Sequence, residues 1–294
     1  MRVILTLFAG LIGLALGSFL NVCLTRWPAG ESVVAPNSHC RNCSRPLAWW
    51  ENVPVLSWLA LRGRCRSCGV WIGWRYPLVE LAVGILWAAI VWQFASWSSG
   101  GATVSFSPLG LVEHLATPSG KMLLVFLLIG LAALDVEHLW LPDAMTLPGT
   151  VLGIAIALLR WGPLVQIGQF KSPPRLVLLD SAFSILIAAG LILLIRWIYW
   201  LIRRREGIGL GDAKLMAMLA AWLGLPGALL AFAIGVVLGA LVGAAVLLTP
   251  KMHDAESPGL TKLPLGTFLC IGGIITTLWG QPILAAYLRW AGLL

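Results

Sequence analysis

Charge is what this sequence has little of. Only 11% of its 294 residues are charged, while 59% are hydrophobic. A soluble domain carries roughly a quarter charged residues. The shortage excludes an ordinary water-exposed fold and implies a low-dielectric solvent, the bilayer. The sequence also lacks a small-x-small cleavage site after its first apolar run, Val3 to Gly17, which Phe19, Leu20 and Val22 continue. That absence excludes a removable signal peptide, and the run is predicted to be a retained first span with its N-terminus outside. No glycine-rich strand-to-helix turn of the dinucleotide-binding kind is present, and no internal repeat is evident.

What is present is apolar length. Crossing about 30 Å of hydrocarbon takes about 20 apolar residues in a helix. Eight spans are predicted, at 3–24, 78–97, 122–141, 144–160, 176–202, 213–225, 228–249 and 264–287. The sixth is short and stops at Pro226, so the sixth and seventh are expected to form one broken hairpin. The predicted fold class is therefore an all-α polytopic membrane protein of about eight transmembrane helices.

The net charge of +8 comes mostly from short basic stretches between apolar runs. Arg26, Arg41, Arg45, Arg62, Arg64, Arg66 and Arg75 precede the second span. Arg203, Arg204, Arg205 and Lys214 flank the sixth, and Lys251 and Lys262 follow the seventh. Alternating spans put all three stretches on one side, which the positive-inside rule makes cytoplasmic. Lys171 and Arg175 fall on the opposite side and argue weakly against this. The basic residues are read as topology signals and lipid neighbours, and no nucleic-acid partner is expected.

Cys40-x2-Cys43 and Cys65-x2-Cys68 are separated by 21 residues. Two such pairs can bring four thiolates to the corners of a tetrahedron around Zn²⁺. The intervening loop is small and polar, and a structural metal can supply folding energy of order 10 kcal/mol. A disulfide or a thiol redox centre is the alternative reading, which the arginine content sets against by implying a reducing cytoplasm. A closed four-sulfur site has no open coordination position, so zinc there is expected to be structural. Cys23 and Cys270 lie in apolar runs and read as small buried hydrophobes.

Ionisable residues inside spans each cost roughly 2.5–3.5 kcal/mol at a helix centre, so those present need a reason. Asp135 lies near the inner end of the third span and Asp212 at the start of the sixth, both at the predicted cytoplasmic edge. Two carboxylates held together share a proton: one stays charged and can act as general base on water, the other can polarise a peptide carbonyl. Gly207, Gly209 and Gly211 are expected to allow positive φ and close approach to a substrate. The plainer reading makes Asp135 a solvated helix-end residue and Asp212 a helix cap. Asp143 reads as a cap of the fourth helix, Glu137, His138 and Glu206 as interfacial, and Asp180 as peripheral. Asn21 and Glu80, inside the first and second spans, are candidates for interhelical hydrogen bonds or substrate contact, and Lys214 for support of the site.

These residues together resemble the bacterial type IV prepilin peptidases. The resemblance is carried by Gly17-Ser18-Phe19-Leu20-Asn21-Val22 with Arg26 and Pro28, the paired cysteines around Asn52-Val53-Pro54-Val55-Leu56-Ser57-Trp58, and Arg62-Gly63-Arg64-Cys65. Arg75-Tyr76-Pro77-Leu78-Val79-Glu80, the stretch Asp135 to Asp143, and Gly209-Leu210-Gly211-Asp212-Ala213-Lys214 complete it. It implies cleavage of the basic leader from prepilins or pseudopilins at the cytoplasmic face of the inner membrane, with Asp135 and Asp212 catalytic. It also implies N-methylation of the new N-terminus from S-adenosylmethionine, a cofactor expected from the resemblance alone. The implied division is residues 1–25 as the first helix, 26–76 as a cytoplasmic four-cysteine zinc domain and 77–294 as a transmembrane aspartic peptidase domain. One departure is Pro264-Leu265-Gly266-Thr267, where the family commonly has Pro-x-Gly-Pro. A membrane thiol oxidoreductase and a non-enzymatic assembly platform are the rival classes.

Overall fold

The structure, a computed structural model, describes residues 1–98, 108–166, 174–205, 207, 209–248 and 263–293. Glu206, Lys171, Lys251 and Lys262 lie outside the described residues. Two compact units divide the chain, Met1–Val104 and Ser105–Leu294.

In the first unit two long apolar helices, α1 (Arg2–Arg26) and α3 (Arg75–Ser98), pack on each other. They approach closely because α1 offers glycines: a Cβ at Gly17 would stand 2.8 Å from the Glu80 Cα, and one at Gly13 2.9 Å from the Gly84 Cα. Small residues at such spacing let helix backbones meet in lipid, where burial of apolar surface drives little. This contact sets Glu80 against Gly17 and Asn21 against Tyr76. Between α1 and α3 lies a small module holding the cysteines, a 3₁₀ turn at Trp49–Asn52 and the short α2 (Leu56–Ala60). Arg26 ends α1 buried, donating to the carbonyls of Ser32 at 2.9 Å and Pro36 at 2.7 Å, which ties the module to its helix.

The second unit contains α4 (Pro108–His138), α5 (Asp143–Gln166), α6 (Pro174–Arg203), α7 (Leu210–Leu247) and α8 (Leu265–Trp290). Leu128, Leu131 and Leu134 of α4, Leu215 and Leu219 of α7, and Leu269 of α8 are fully buried at its centre. Leu179, Phe183, Leu186, Trp197 and Ile202 of α6 are exposed, an apolar exterior suited to lipid. Seven helices among the described residues are long and apolar enough to cross a membrane.

One of those seven contains two of the predicted spans. Gly224 interrupts α7 at φ 69°, ψ 174°, two residues before Pro226, a backbone region open essentially only to glycine. The chain reverses there, as the neighbours along α8 show. Leu219 faces Gly273, whereas beyond the break Gly227 faces Thr276, Gly235 faces Phe268 and Gly243 faces Leu263. The first limb thus runs with α8 and the second runs against it, the broken hairpin expected from Pro226. The first limb, residues 210–223, rises only about 21 Å at 1.5 Å per residue, so it stops short of a full crossing.

Candidate active site and metal centre

α4 ends just after Asp135. The Leu139 N–H closes on the Asp135 carbonyl at 2.9 Å, and Leu139 takes φ +50°, a left-handed conformation that ends the helix. The predicted third span therefore stops at His138 rather than at 141, and it begins fourteen residues earlier than drawn, at Pro108. The sharp exit carries Leu141 back across the site. A Cβ at Gly211 would meet the Leu141 Cβ at 3.0 Å, and one at Gly266 would meet Leu141 Cδ1 and Asp135 Oδ2, each at 2.9 Å. One leucine thereby gathers the end of α4, the start of α7 and the start of α8.

Asp135 and Asp212 are both buried in that cluster, 5% and 7% exposed, and lie within electrostatic range of each other. Their surroundings differ. A single oxygen of Asp135, Oδ2, accepts the Thr267 N–H at 2.7 Å and the Thr267 hydroxyl at 3.0 Å. Asp212 is the third residue of α7 and its Oδ2 accepts the N–H of Gly209, the N-cap, at 3.2 Å. The plainer reading made Asp212 the N-cap; Gly209 holds that position instead, and Asp212, three residues on, returns its carboxylate to the N-cap N–H.

The glycines ahead of Asp212 act through space and not through left-handed backbone. Gly209 is extended, at φ −74° and ψ 151°, and neither Gly207 nor Gly211 has positive φ, which corrects the expectation. The reason is crowding: a Cβ at Gly207 would strike the Tyr199 ring at 2.5 Å, and one at Gly211 the Leu141 side chain. Lys214 pairs with Asp143 Oδ1 at 2.5 Å, both partly exposed, linking the start of α5 to α7. Asp143, read from the sequence as a cap, is the first residue of α5 and spends its carboxylate on Lys214. Glu137 and His138 are exposed beside the site, and Asp180 is exposed on α6.

Thr267 is the residue that sequence reasoning missed. It stands where the resembling family commonly has proline. A proline there offers neither N–H nor hydroxyl, and those are the two donors that hold Asp135.

In the first unit the Sγ atoms of Cys40, Cys43, Cys65 and Cys68 lie within 4.8 Å of one another, with Cys40 and Cys68 at 3.8 Å. Four sulfurs about 2.3 Å from a zinc ion form a tetrahedron with edges of about 3.8 Å, so the donor set fits the metal. The two halves repeat each other bond for bond. Cys40 N–H donates to the Arg45 carbonyl and Cys65 N–H to that of Val70, each at 2.9 Å. Ser44 N–H closes on the Cys40 carbonyl at 2.8 Å and Gly69 N–H on that of Cys65 at 2.9 Å. Ser44 and Gly69 share positive φ, 55° and 68°, and the bridges His39–Pro46 and Arg64–Trp71 flank the halves alike. The repeat escaped the sequence because only the cysteines and the arginine after the first of each pair, Arg41 and Arg66, match. A backbone N–H from Val70, with the Asn42 side chain, brings the Cys68 thiol down to about 6, and one from Cys43 lowers that of Cys40, whereas Cys43, despite the Arg45 N–H, is pushed up to about 11 by desolvation and by the three thiols around it. Donors aimed at sulfur favour the thiolate that a metal needs. All four thiols are free of disulfides, and Cys23 and Cys270 are buried as expected.

Asn21 and Glu80 belong to the first unit. Asn21 donates from Nδ2 to the Tyr76 carbonyl at 2.9 Å, and Glu80 Oε2 accepts the Val55 N–H at 2.7 Å.

Comparison with known proteins gives a consistent result. Residues 11–94 match the bacterial peptidase A24 N-terminal domain and residues 122–244 match the type IV leader peptidase family. A prepilin leader peptidase/N-methyltransferase from Stutzerimonas stutzeri is 34% identical over 98% of this chain and 95% of its own length. Proteins of the same description from Pseudomonas aeruginosa and Myxococcus xanthus are 33% and 38% identical, over 96% and 88% of this chain and 93% and 68% of their own lengths. No solved structure matches.

Proposed function

From the premise that this chain belongs to the type IV leader peptidase family, we propose that it removes the basic leader from prepilins or pseudopilins by aspartyl chemistry at Asp135 and Asp212. It then methylates the new N-terminus. The observation that carries this reading is the burial of two mutually interacting carboxylates at the joined ends of α4 and α7. The protein is a multi-pass inner-membrane protein, and the basic stretches support a cytoplasmic face for the site and a periplasmic N-terminus.

Two donors on one oxygen favour charge on Asp135, so we assign it the general base and Asp212 the proton-bearing partner. Asp135 takes a proton from water as the oxygen attacks the scissile carbonyl. Asp212 donates to the carbonyl oxygen, giving a neutral tetrahedral diol. The proton on Asp135 then passes to the leaving amide nitrogen as the C–N bond breaks, and Asp212 recovers its own from the diol. No metal enters this step. The four cysteines would hold zinc in a structural role, fastening a module too small to build its own core. S-adenosylmethionine, when bound, supplies an electrophilic methyl group to the mature N-terminal amine.

The test is cleavage of a prepilin by purified protein in detergent, read by intact mass. Asp135→Asn and Asp212→Asn should each abolish leader removal with the protein still folded. A variant that still cleaves would remove that residue from the dyad.

A further inference from the structure

The cysteine module leaves large apolar side chains uncovered on one side. Its short helix α2 carries Leu56 and Leu59, three residues apart and therefore on one face, 65% and 59% exposed. The Trp58 ring of the same helix lies against Trp74, with centroids 4.5 Å apart, and meets Trp71 edge-on at 5.6 Å. Trp71 and Trp74 are themselves 48% and 60% exposed. A single exposed leucine needs no explanation, whereas a patch of this kind marks an interaction surface.

Arginines rim the patch. Gly63 packs under its rings: a Cβ there would stand 2.6 Å from Trp71 Cζ3 and 2.8 Å from Trp58 Cζ2. Arg62 and Arg64, on either side of that glycine, are exposed. Neither has an acidic partner among the described residues. The module's two acids, Glu31 and Glu51, are already taken by Arg41 and Arg45. Four thiolates around a Zn²⁺ would add two negative charges and still leave the module basic, with its seven arginines.

The patch also runs into the side of α3. The Leu78 N–H bonds to the Trp74 carbonyl at 3.1 Å, so Trp74 stands one turn ahead of Leu78. From there Trp74, Leu78, Leu81 and Ile85 recur at steps of four, three and four, all exposed, which is the spacing of one helix face. α3 is long and apolar enough to cross a membrane, and an apolar stripe on its outside meets acyl chains. The patch continues that stripe at the level where the chain leaves the bilayer. Indole rings settle at that depth, and arginine side chains there reach lipid phosphates.

We propose that this face of the module, formed by Leu56, Leu59, Trp71 and Trp74 with Arg62 and Arg64, lies on the membrane surface and binds the headgroups of anionic phospholipids. The apolar side chains set the depth, and the two arginines select the headgroup charge. A partner protein would have to cover a surface that passes without a break into the lipid-facing side of α3. The assignment is independent of the aspartyl chemistry.

The test uses the full-length protein in nanodiscs. The probe is a phosphatidylglycerol with a photoactivatable diazirine near the headgroup end of one acyl chain, and its phosphatidylcholine counterpart is the control. Peptides within residues 56–74 of wild type should be labelled, and more strongly by phosphatidylglycerol. Arg62→Gln combined with Arg64→Gln should cut that preference about tenfold or more, since each basic residue at an anionic surface contributes about fivefold. Leu56→Ser combined with Leu59→Ser should lower labelling by both lipids. An unchanged thermal midpoint and metal content in each double variant would separate lost lipid contact from lost folding. Label on residues 78–92 with none on 56–74 would overturn the proposal, because the module would then stand clear of the membrane. Equal labelling by the two lipids, or a preference untouched by the arginine variant, would refute headgroup selection. Protein–protein crosslinks at residues 56–74 in place of lipid label would give the face to a second copy of the chain.

Discussion

Thr267 offers a test of how the dyad is held. Its hydroxyl donates to Asp135 Oδ2 at 3.0 Å and also lies 3.2 Å from the Ala132 carbonyl. It has one hydrogen, shared between the two. Valine has nearly the shape of threonine, keeps the backbone N–H that reaches Asp135 at 2.7 Å and removes only the hydroxyl. A hydrogen bond to a charged group contributes about 1.5–3 kcal/mol. Sharing with Ala132 puts this one near the low end, and about 1.4 kcal/mol is a factor of ten in rate. Thr267→Val is therefore expected to lower kcat for leader cleavage about tenfold with little change in KM, because the hydroxyl touches the carboxylate proposed as general base and not the substrate. Thr267→Ser should behave as wild type. Thr267→Pro removes both donors, yet it sits in the first turn of α8, where proline is tolerated, and it should cost more than valine. The assay is initial-rate cleavage of a prepilin in detergent. A Val variant within twofold of wild type, or a Ser variant as slow as Val, would refute the argument that the hydroxyl positions Asp135.

Three further outcomes are expected. Glu51 is buried and held below the usual glutamate range, first by the Ala48 N–H at 2.8 Å and then by Arg45 at 2.5 and 2.7 Å. A depressed folded-state value means its stabilisation is fully present above the unfolded value of about 4.3 and is lost as pH falls through the folded one. The stability gap between wild type and Glu51→Gln, followed by tryptophan fluorescence, should hold near neutral pH and narrow in acid; a gap independent of pH would contradict the pairing. Cys40→Ser or Cys65→Ser should lower bound zinc, measured by elemental analysis, and loosen the module; a fully metal-loaded variant would remove that cysteine from the site. Gly224→Ala should destabilise the protein by about 1–3 kcal/mol through backbone strain alone, since only Pro226 Cδ at 3.9 Å borders the space. Gly224→Asn should do no better, because asparagine tolerates the left-handed region but not ψ near 174°. A thermal midpoint equal to wild type would show that the reversal does not need that conformation.

Much of this molecule was legible before any coordinates, and the reasons differ by element. The spans were visible because crossing lipid demands apolar length. The hairpin within α7 was visible because Pro226 cannot sit inside a helix without a local break. The cysteine pairs announced themselves by spacing, and the aspartates by their cost in an apolar setting. What stayed hidden depends on neighbours distant in sequence. Thr267 acquires its meaning from Asp135, which is 132 residues away. The glycines before Asp212 suggested backbone freedom, and only the positions of Tyr199 and Leu141 reveal that they make room.

Hydrolysis needs water, and a span's interior excludes it, which bears on why the dyad lies where helices end. Asp135 is three residues from the end of α4, and Asp212 is the third residue of α7. Helix ends are the depth at which carboxylates can meet water while an apolar substrate helix remains in lipid. The same position has a structural cost, since helix ends fray and leave backbone groups unpaired. The chain meets that cost locally: Leu139 closes α4 in a left-handed turn, Asp212 holds the Gly209 N–H at the start of α7, and Lys214 pairs with Asp143 to bind the start of α5 to α7. On this reading Asp212 serves both the chemistry and the helix start, and two substitutions separate the roles. Asparagine keeps an acceptor oxygen for the Gly209 N–H, whereas alanine does not. Asp212→Asn should accordingly be inactive at near-normal stability, while Asp212→Ala should be inactive and also less stable, by about 0.5–2 kcal/mol as cap removals are. Equal thermal midpoints for the two variants would mean that the capping bond contributes nothing, and that the burial of Asp212 serves catalysis alone.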